Sequence, residues 1–192
     1  MILYNGNTRK VIDFSICRRD IMKKGYIHVY TGNGKGKTTA ALGLSVRAVC
    51  AGKKVYFAQF VKGMKYSEIE AMNYLPSFEI HQFGRNCFIY NDPTQEDIDA
   101  AQNGLKTCQK ILKEGQYDIV VLDEINIAMY YNLFEIEEVL DMIRNRAEHV
   151  EVIITGRYAP DEIIEEADLV TEMKEIKHYY QHGVLAREGI EK

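Results

Sequence analysis

Three glycines, a lysine and a threonine alternate in the stretch TGNGKGKTTAALG, which runs from Thr31 to Gly43. Gly32, Gly34 and Gly36 are separated by Asn33 and Lys35, and Lys37, Thr38 and Thr39 follow at once. These residue types in this order suit a loop that holds phosphate. Glycine reaches backbone conformations that other residues resist, so successive N–H groups can turn toward one anion. Lys37 adds a point charge, and the Thr38 hydroxyl can hold a metal ion such as Mg²⁺ or Mn²⁺. The common spelling of such a loop is G-x-x-x-x-G-K-[ST]. With Gly36-Lys37-Thr38 as its end, the opening glycine belongs at position 31, where this chain has Thr31.

Three further stretches carry candidate chemistry. The run IVVLDE ends in Asp123 and Glu124. A carboxylate at the end of an apolar strand stands near a metal bound at a phosphate loop, although either acid alone could be a strand-end cap. The stretch GRNCFIYND holds Phe88, Ile89 and Tyr90 among polar residues. By composition this reads as packing under a loop; the sharper alternative is the wall of a ligand pocket. In TGRYAP, Arg157 follows a buried strand, at the end of the sheet where ligands gather in α/β folds. Its planar fork suits phosphate, and a solvated surface arginine is an equal alternative. His178 and His182 stand four apart, but two histidines without a third ligand do not make a zinc site.

The elements that must position these residues alternate strand and helix. YIHVY (26–30) leads into the glycine loop, and a helix follows from Lys37 and stops at Gly52. Strands are expected at 54–60, 78–83, 117–124 and 150–157, with a short helix at 67–75 ended by Pro76. Thr94 caps a long helix with Asp97 as its capping-box partner, and Ile98, Ala101, Leu105, Cys108 and Leu112 line its inner face. An amphipathic helix is expected at 134–147 and a short helix from Pro160, with an edge strand within 168–178. Uninterrupted apolar strands are buried on both faces, so the fold class is α/β: a mostly parallel sheet flanked by helices in three layers.

The chain has 192 residues, 46% of them hydrophobic and 27% charged, which suits one compact domain with a real core. A net charge of −4 argues against a nucleic-acid partner. The four cysteines are scattered without a C-x-x-C pair, as expected of reduced thiols in the cytoplasm. No apolar run is long enough for a membrane span, and the N-terminus lacks the apolar core of a secretory signal. Residues 1–24 read as an appendage to a domain spanning 25–192: basic, sparse in apolar residues, with at most a short helix around Val11–Met22. They are loosely ordered, or fold over a ligand or neighbouring subunit, or precede a natural start at Met22.

Taken together, GYIHVYTGNGKGKTTAALGLSVRAVCAGKKVYFAQFVKG, VVLDEIN, VIITGRYAP and ADLVTEMKEIKHYYQHGVLAREGIE resemble the ATP:corrinoid adenosyltransferases of the cobalamin-synthesis type. The resemblance runs from about residue 25 to the end, in order. It implies a P-loop NTPase-like fold, a homodimer, and transfer of the 5′-deoxyadenosyl group of ATP to the cobalt of a reduced corrinoid, with triphosphate released. By the family's motifs, Asn33, Gly34, Lys35, Gly36, Lys37, Thr38 and Thr39 would hold the triphosphate. Thr38 and Glu124 would hold Mg²⁺ (or Mn²⁺), with Asp123 in support. Phe88 and Tyr90 match the family's aromatic segment, where a tryptophan is common at the second position; this chain has no Trp. An electron-donor flavoprotein is the expected partner that keeps the corrinoid reduced. The competing expectation from the motifs alone is a P-loop ATPase or small-molecule kinase, using the same Lys37, Thr38 and Asp123 with Glu124 as base.

Overall fold

The computed structural model describes residues 24–64, 66–85 and 92–192. The described chain builds one six-stranded sheet, with strands β1 (Ile27–Thr31), β2 (Val55–Phe60), β3 (Phe78–Phe83), β4 (Ile119–Asp123), β5 (Glu151–Thr155) and β6 (Leu169–Glu172). Their order is β3-β2-β4-β5-β1-β6, and every pairing is parallel. Parallel neighbours need crossovers, and helices supply them. These are α1 (Lys37–Cys50), α2 (Gln95–Glu114), α3 (Ile125–Tyr130), α4 (Ile136–Arg144) and α5 (Asp161–Glu166).

The two faces of the sheet explain the uninterrupted apolar strands. Val120 and Leu122 of β4, with Val152 and Ile154 of β5, pack against α2 to α5. Ile119 and Val121, with Ile153, face the other way onto Ala41 and Ala48 of α1. All five residues of β4 are buried, so a polar residue on it needs a partner; Asp123 is its one polar residue and is partnered. In β6, by contrast, every residue is exposed, as befits the sheet's edge.

Helix α2 follows the expected pattern. Thr94 and Asp97 exchange both capping-box bonds, Ala101, Leu105, Cys108 and Leu112 are buried, and Gly115 ends the helix in the left-handed region (φ 63°). Two elements differ from the sequence reading. Residues Ser67–Asn73 form a 3₁₀ helix with no buried residue. Only Ile69 and Ala71 lean on the sheet there, too little apolar face to hold a longer α-helical register. Helix α3 went unread because it follows β4 with no intervening loop. Glu124 turns the chain at φ 59°, and Ile125, Ala128 and Met129 bury at once. The basic appendage up to Lys23, with its short-helix reading, lies outside the described residues.

Candidate active site

The C-terminal ends of β1, β4 and β5 meet where the strand order reverses, and the glycine loop closes over them. Beyond β6 the chain crosses the loop: Met173 N–H donates to the Thr31 carbonyl (2.8 Å), and Gly34 N–H donates to the Met173 carbonyl (2.6 Å). This approach dictates two of the glycines. A Cβ on Gly32 would lie 2.5 Å from the Met173 oxygen, and one on Gly34 would lie 2.7 Å from it. Gly36 is the N-cap of α1 at φ 123°, and no side chain caps that helix. Its first-turn N–H groups therefore form a ready anion site.

Lys37 arches back over this loop. Its Nζ donates to the carbonyls of Gly32 (2.7 Å) and Gly34 (2.9 Å). Burial pushes its pKa below the usual lysine value, against the opposing pull of Glu124 and Asp123. One helical step on, Thr38 Oγ1 donates to Asp123 Oδ1 at 2.8 Å, joining the loop to β4.

Asp123 is fully buried and fully engaged. Besides Thr38, Oδ1 accepts from Thr155 Oγ1 (2.6 Å), while Oδ2 accepts from Lys62 Nζ (2.8 Å) and Gln59 Nε2 (3.3 Å). Thr155 also takes the Glu124 N–H at 3.0 Å, which fixes the sharp turn after β4. The turned Glu124 carboxyl lines the open cleft. Burial, then the neighbouring Asp123 charge, raise its pKa above the ordinary carboxylate range.

The cleft between these groups has a volume of ≈ 490 Å³. Residues 33–39 line it together with Lys62, Tyr66, Glu124, Ile127, Tyr131 and Arg157. So Asn33, Gly34, Lys35, Gly36, Lys37, Thr38, Thr39, Glu124 and Arg157 all reach one space, with Asp123 directly beneath Thr38. Lys35 points differently from the rest: its Nζ bonds Glu191 Oε1 (2.7 Å), the Ile190 carbonyl (3.0 Å) and Tyr179 Oη (3.1 Å), so residues near the C-terminus rest on the loop. Phe88 and Tyr90 lie outside the described residues. His178 accepts the Tyr180 N–H through Nδ1 at 3.1 Å and starts a short 3₁₀ turn.

Sequence reasoning missed Lys62, Gln59 and Thr155 as partners of Asp123. Lys62 had a readable signal: an apolar strand ends in Val61-Lys62-Gly63 at the ligand end of the sheet. Val61 takes φ 49°, a strained setting for a β-branched residue, and the turn aims Lys62 at Asp123. Gly63 and Gly84 allow it, since a Cβ on Gly63 would meet the Arg85 backbone at 2.4 Å.

Residues 23–191 match the model of the family described as ATP:corrinoid adenosyltransferase BtuR/CobO/CobP. The chain belongs to the ATP:corrinoid adenosyltransferase family. Relatives agree with that membership along most of their length. The corrinoid adenosyltransferase of Pseudomonas aeruginosa is 36% identical over 186 residues, covering 95% of this chain and 91% of the relative. That of Escherichia coli K12 is 37% identical over 170 residues, covering 88% and 86%. That of Salmonella typhimurium gives the same figures, 37% over 170 residues with 88% and 86% covered. As a member of an adenosyltransferase family the chain is a transferase, and the glycine loop, the Asp123-Glu124 turn and the C-terminal crossing all fall inside the matched range. Among the described residues no helix is long and apolar enough to cross a membrane.

Proposed function

We propose that this protein transfers the 5′-deoxyadenosyl group of ATP to the cobalt of a reduced cob(I) corrinoid and releases inorganic triphosphate. The observation that carries this reading is the uncapped start of α1 with Lys37 and Glu124 lining one cleft, and Asp123 bonded to Thr38, in a chain matched to the family over residues 23–191. Cob(I) is a strong nucleophile with a lone pair on the metal. It attacks C5′, the cobalt–carbon bond forms, and the C5′–oxygen bond breaks. The electron pair leaves with the triphosphate, and the cobalt ends formally two units more oxidised.

Such a reaction needs no general base. It asks the protein to align C5′ with cobalt, to stabilise the departing charge and to exclude water. Asn33 to Thr39 hold the triphosphate, Lys37 releases its loop carbonyls to meet it, and Arg157 grips it from the far wall. Oxygen donors from Thr38, Asp123 and Glu124 fit a hard cation such as Mg²⁺ or Mn²⁺. When bound, such an ion neutralises triphosphate charge. By the family resemblance, Phe88 and Tyr90 are the aromatic residues that would meet the corrinoid, with Phe88 the candidate wedge whose displacement of the lower axial ligand would ease reduction of Co(II). A reduced flavoprotein supplies that electron, and two copies of the chain pair; these two features rest on the family resemblance.

The test is an anaerobic assay with ATP, cob(I)alamin and Mg²⁺. Adenosylated corrinoid and triphosphate in equal amounts are expected. ADP and phosphate without a cobalt–carbon absorbance signature would instead make the chain an ATPase or kinase.

A further inference from the structure

Lys62 holds a position that a metal ion would need. Its Nζ lies 2.8 Å from Asp123 Oδ2, 3.4 Å from Thr38 Oγ1 and 3.9 Å from Glu68 Oε1. A Mg²⁺ or Mn²⁺ ion bound by Thr38 and Asp123 must approach those oxygens to about 2.1 Å. An ammonium 2.8 Å from Asp123 Oδ2 and 3.4 Å from Thr38 Oγ1 stands beside such an ion, and the two like charges repel at that range. The side chain is well enclosed, with 15% of its surface exposed.

We propose that Lys62 is a resident counter-cation of the Thr38–Asp123–Glu124 oxygens, which bars a bare divalent ion and gives way only when metal arrives with nucleotide. This rests on the metal-site part of the function proposed above and adds an order to it. Without nucleotide, the adjacent Asp123 and Glu124 need a positive charge, and Lys62 supplies it from the turn after β2. The metal–nucleotide complex brings both a replacement cation and phosphate oxygens. The four-carbon stem of Lys62 then lets the ammonium turn away from Asp123 into the cleft it already borders, toward the phosphates. The Tyr66 ring, 5.2 Å from Nζ, lies on that side and offers a cation–π contact along the way. Lys62 thereby becomes a second positive group beside the leaving triphosphate. It is a positioning residue against Asp123 and a phosphate-facing one once metal and nucleotide are bound.

The probe is Mn²⁺ alone, titrated into the nucleotide-free full chain and followed by the paramagnetic resonance of free Mn²⁺. Lys62→Met and Lys62→Gln should bind bare Mn²⁺ about 10- to 100-fold more tightly than the wild type, the usual span of coupling between two bound groups. Lys62→Gln keeps an N–H donor for Asp123, so it reports even if Lys62→Met does not fold. Adding Asp123→Asn to Lys62→Gln should remove the gained affinity. Equal Mn²⁺ affinity in wild type and Lys62→Gln would overturn the proposal, as would gained affinity that survives Asp123→Asn. Neither readout depends on turnover: a chain that released only ADP and phosphate would fail the adenosyl-transfer reading and leave this one standing.

Discussion

Gly34 N–H donates to the Met173 carbonyl at 2.6 Å, so the glycine loop is fastened to the chain as it leaves the edge strand. This contact accounts for the loop's unusual spelling in terms of packing. Gly32 and Gly34 are the two positions where a crossing backbone leaves no room for a Cβ.

Gly34→Ala should therefore be costly. Its Cβ would meet backbone atoms of Met173 and Lys174 within 3.0 Å, and overpacking of this kind costs about 1–3 kcal/mol. Gly43→Ala is the matched control: no atom lies within 4 Å of its Cβ, and it sits inside α1. That change should stabilise by about 0.5–1 kcal/mol. Thermal unfolding of the two variants should shift in opposite directions.

Lys37→Ala removes the charge that caps the loop carbonyls of Gly32 and Gly34. Loss of a group aimed at developing charge costs roughly 10²- to 10³-fold in turnover. Adenosylation rate should fall by that order, with the circular-dichroism spectrum retained. Turnover at the wild-type rate would remove the loop from the mechanism.

Thr155→Val is nearly isosteric but deletes a hydroxyl that serves two neighbours, donating to Asp123 and accepting the Glu124 N–H. Leaving buried partners unmet costs about 1–3 kcal/mol per group. The urea midpoint should drop, and the concentration of Mg²⁺ needed for half-maximal rate should rise, because the turn presenting Glu124 loosens. A variant with unchanged Mg²⁺ dependence would confine Thr155 to a structural part.

Asp97 gives a pH prediction. Hydrogen bonds from Arg85, against the cost of burial and aided by Thr94, hold its pKa down at about 2, below the 3.8 of an unperturbed aspartate. The folded state therefore binds this proton less readily than the unfolded chain does. Its contribution is fully present above pH 3.8 and is lost as pH falls toward 2. Asp97→Asn should lower stability at neutral pH by about 1–3 kcal/mol and flatten this part of the acid limb in urea titrations.

Phe88→Ala should slow adenosylation that starts from Co(II) and a reductant more than adenosylation from chemically prepared Co(I). Equal losses in the two assays would argue against a wedge beneath the corrinoid.

Fold class was legible because parallel strands buried on both faces leave an unmistakable mark: IVVLD has no polar residue before its terminal acid. The long helix was legible from local chemistry, since a capping box and an apolar stripe involve residues three or four apart. Within the site, the loop residues and Asp123-Glu124 could be picked out because their types and order are contiguous. What tertiary structure alone decided are relations between distant segments. Lys62 and Thr155 reach Asp123 only because β2 and β5 flank β4, a strand order that no local pattern encodes. Glycines at 32 and 34 permit a phosphate loop in the sequence, but it is the passage of Met173 that makes them obligatory. Residue types disclose which charges a chain carries; which charge neutralises which depends on the packing that brings them within 3 Å, where burial makes an unpaired one too costly to leave.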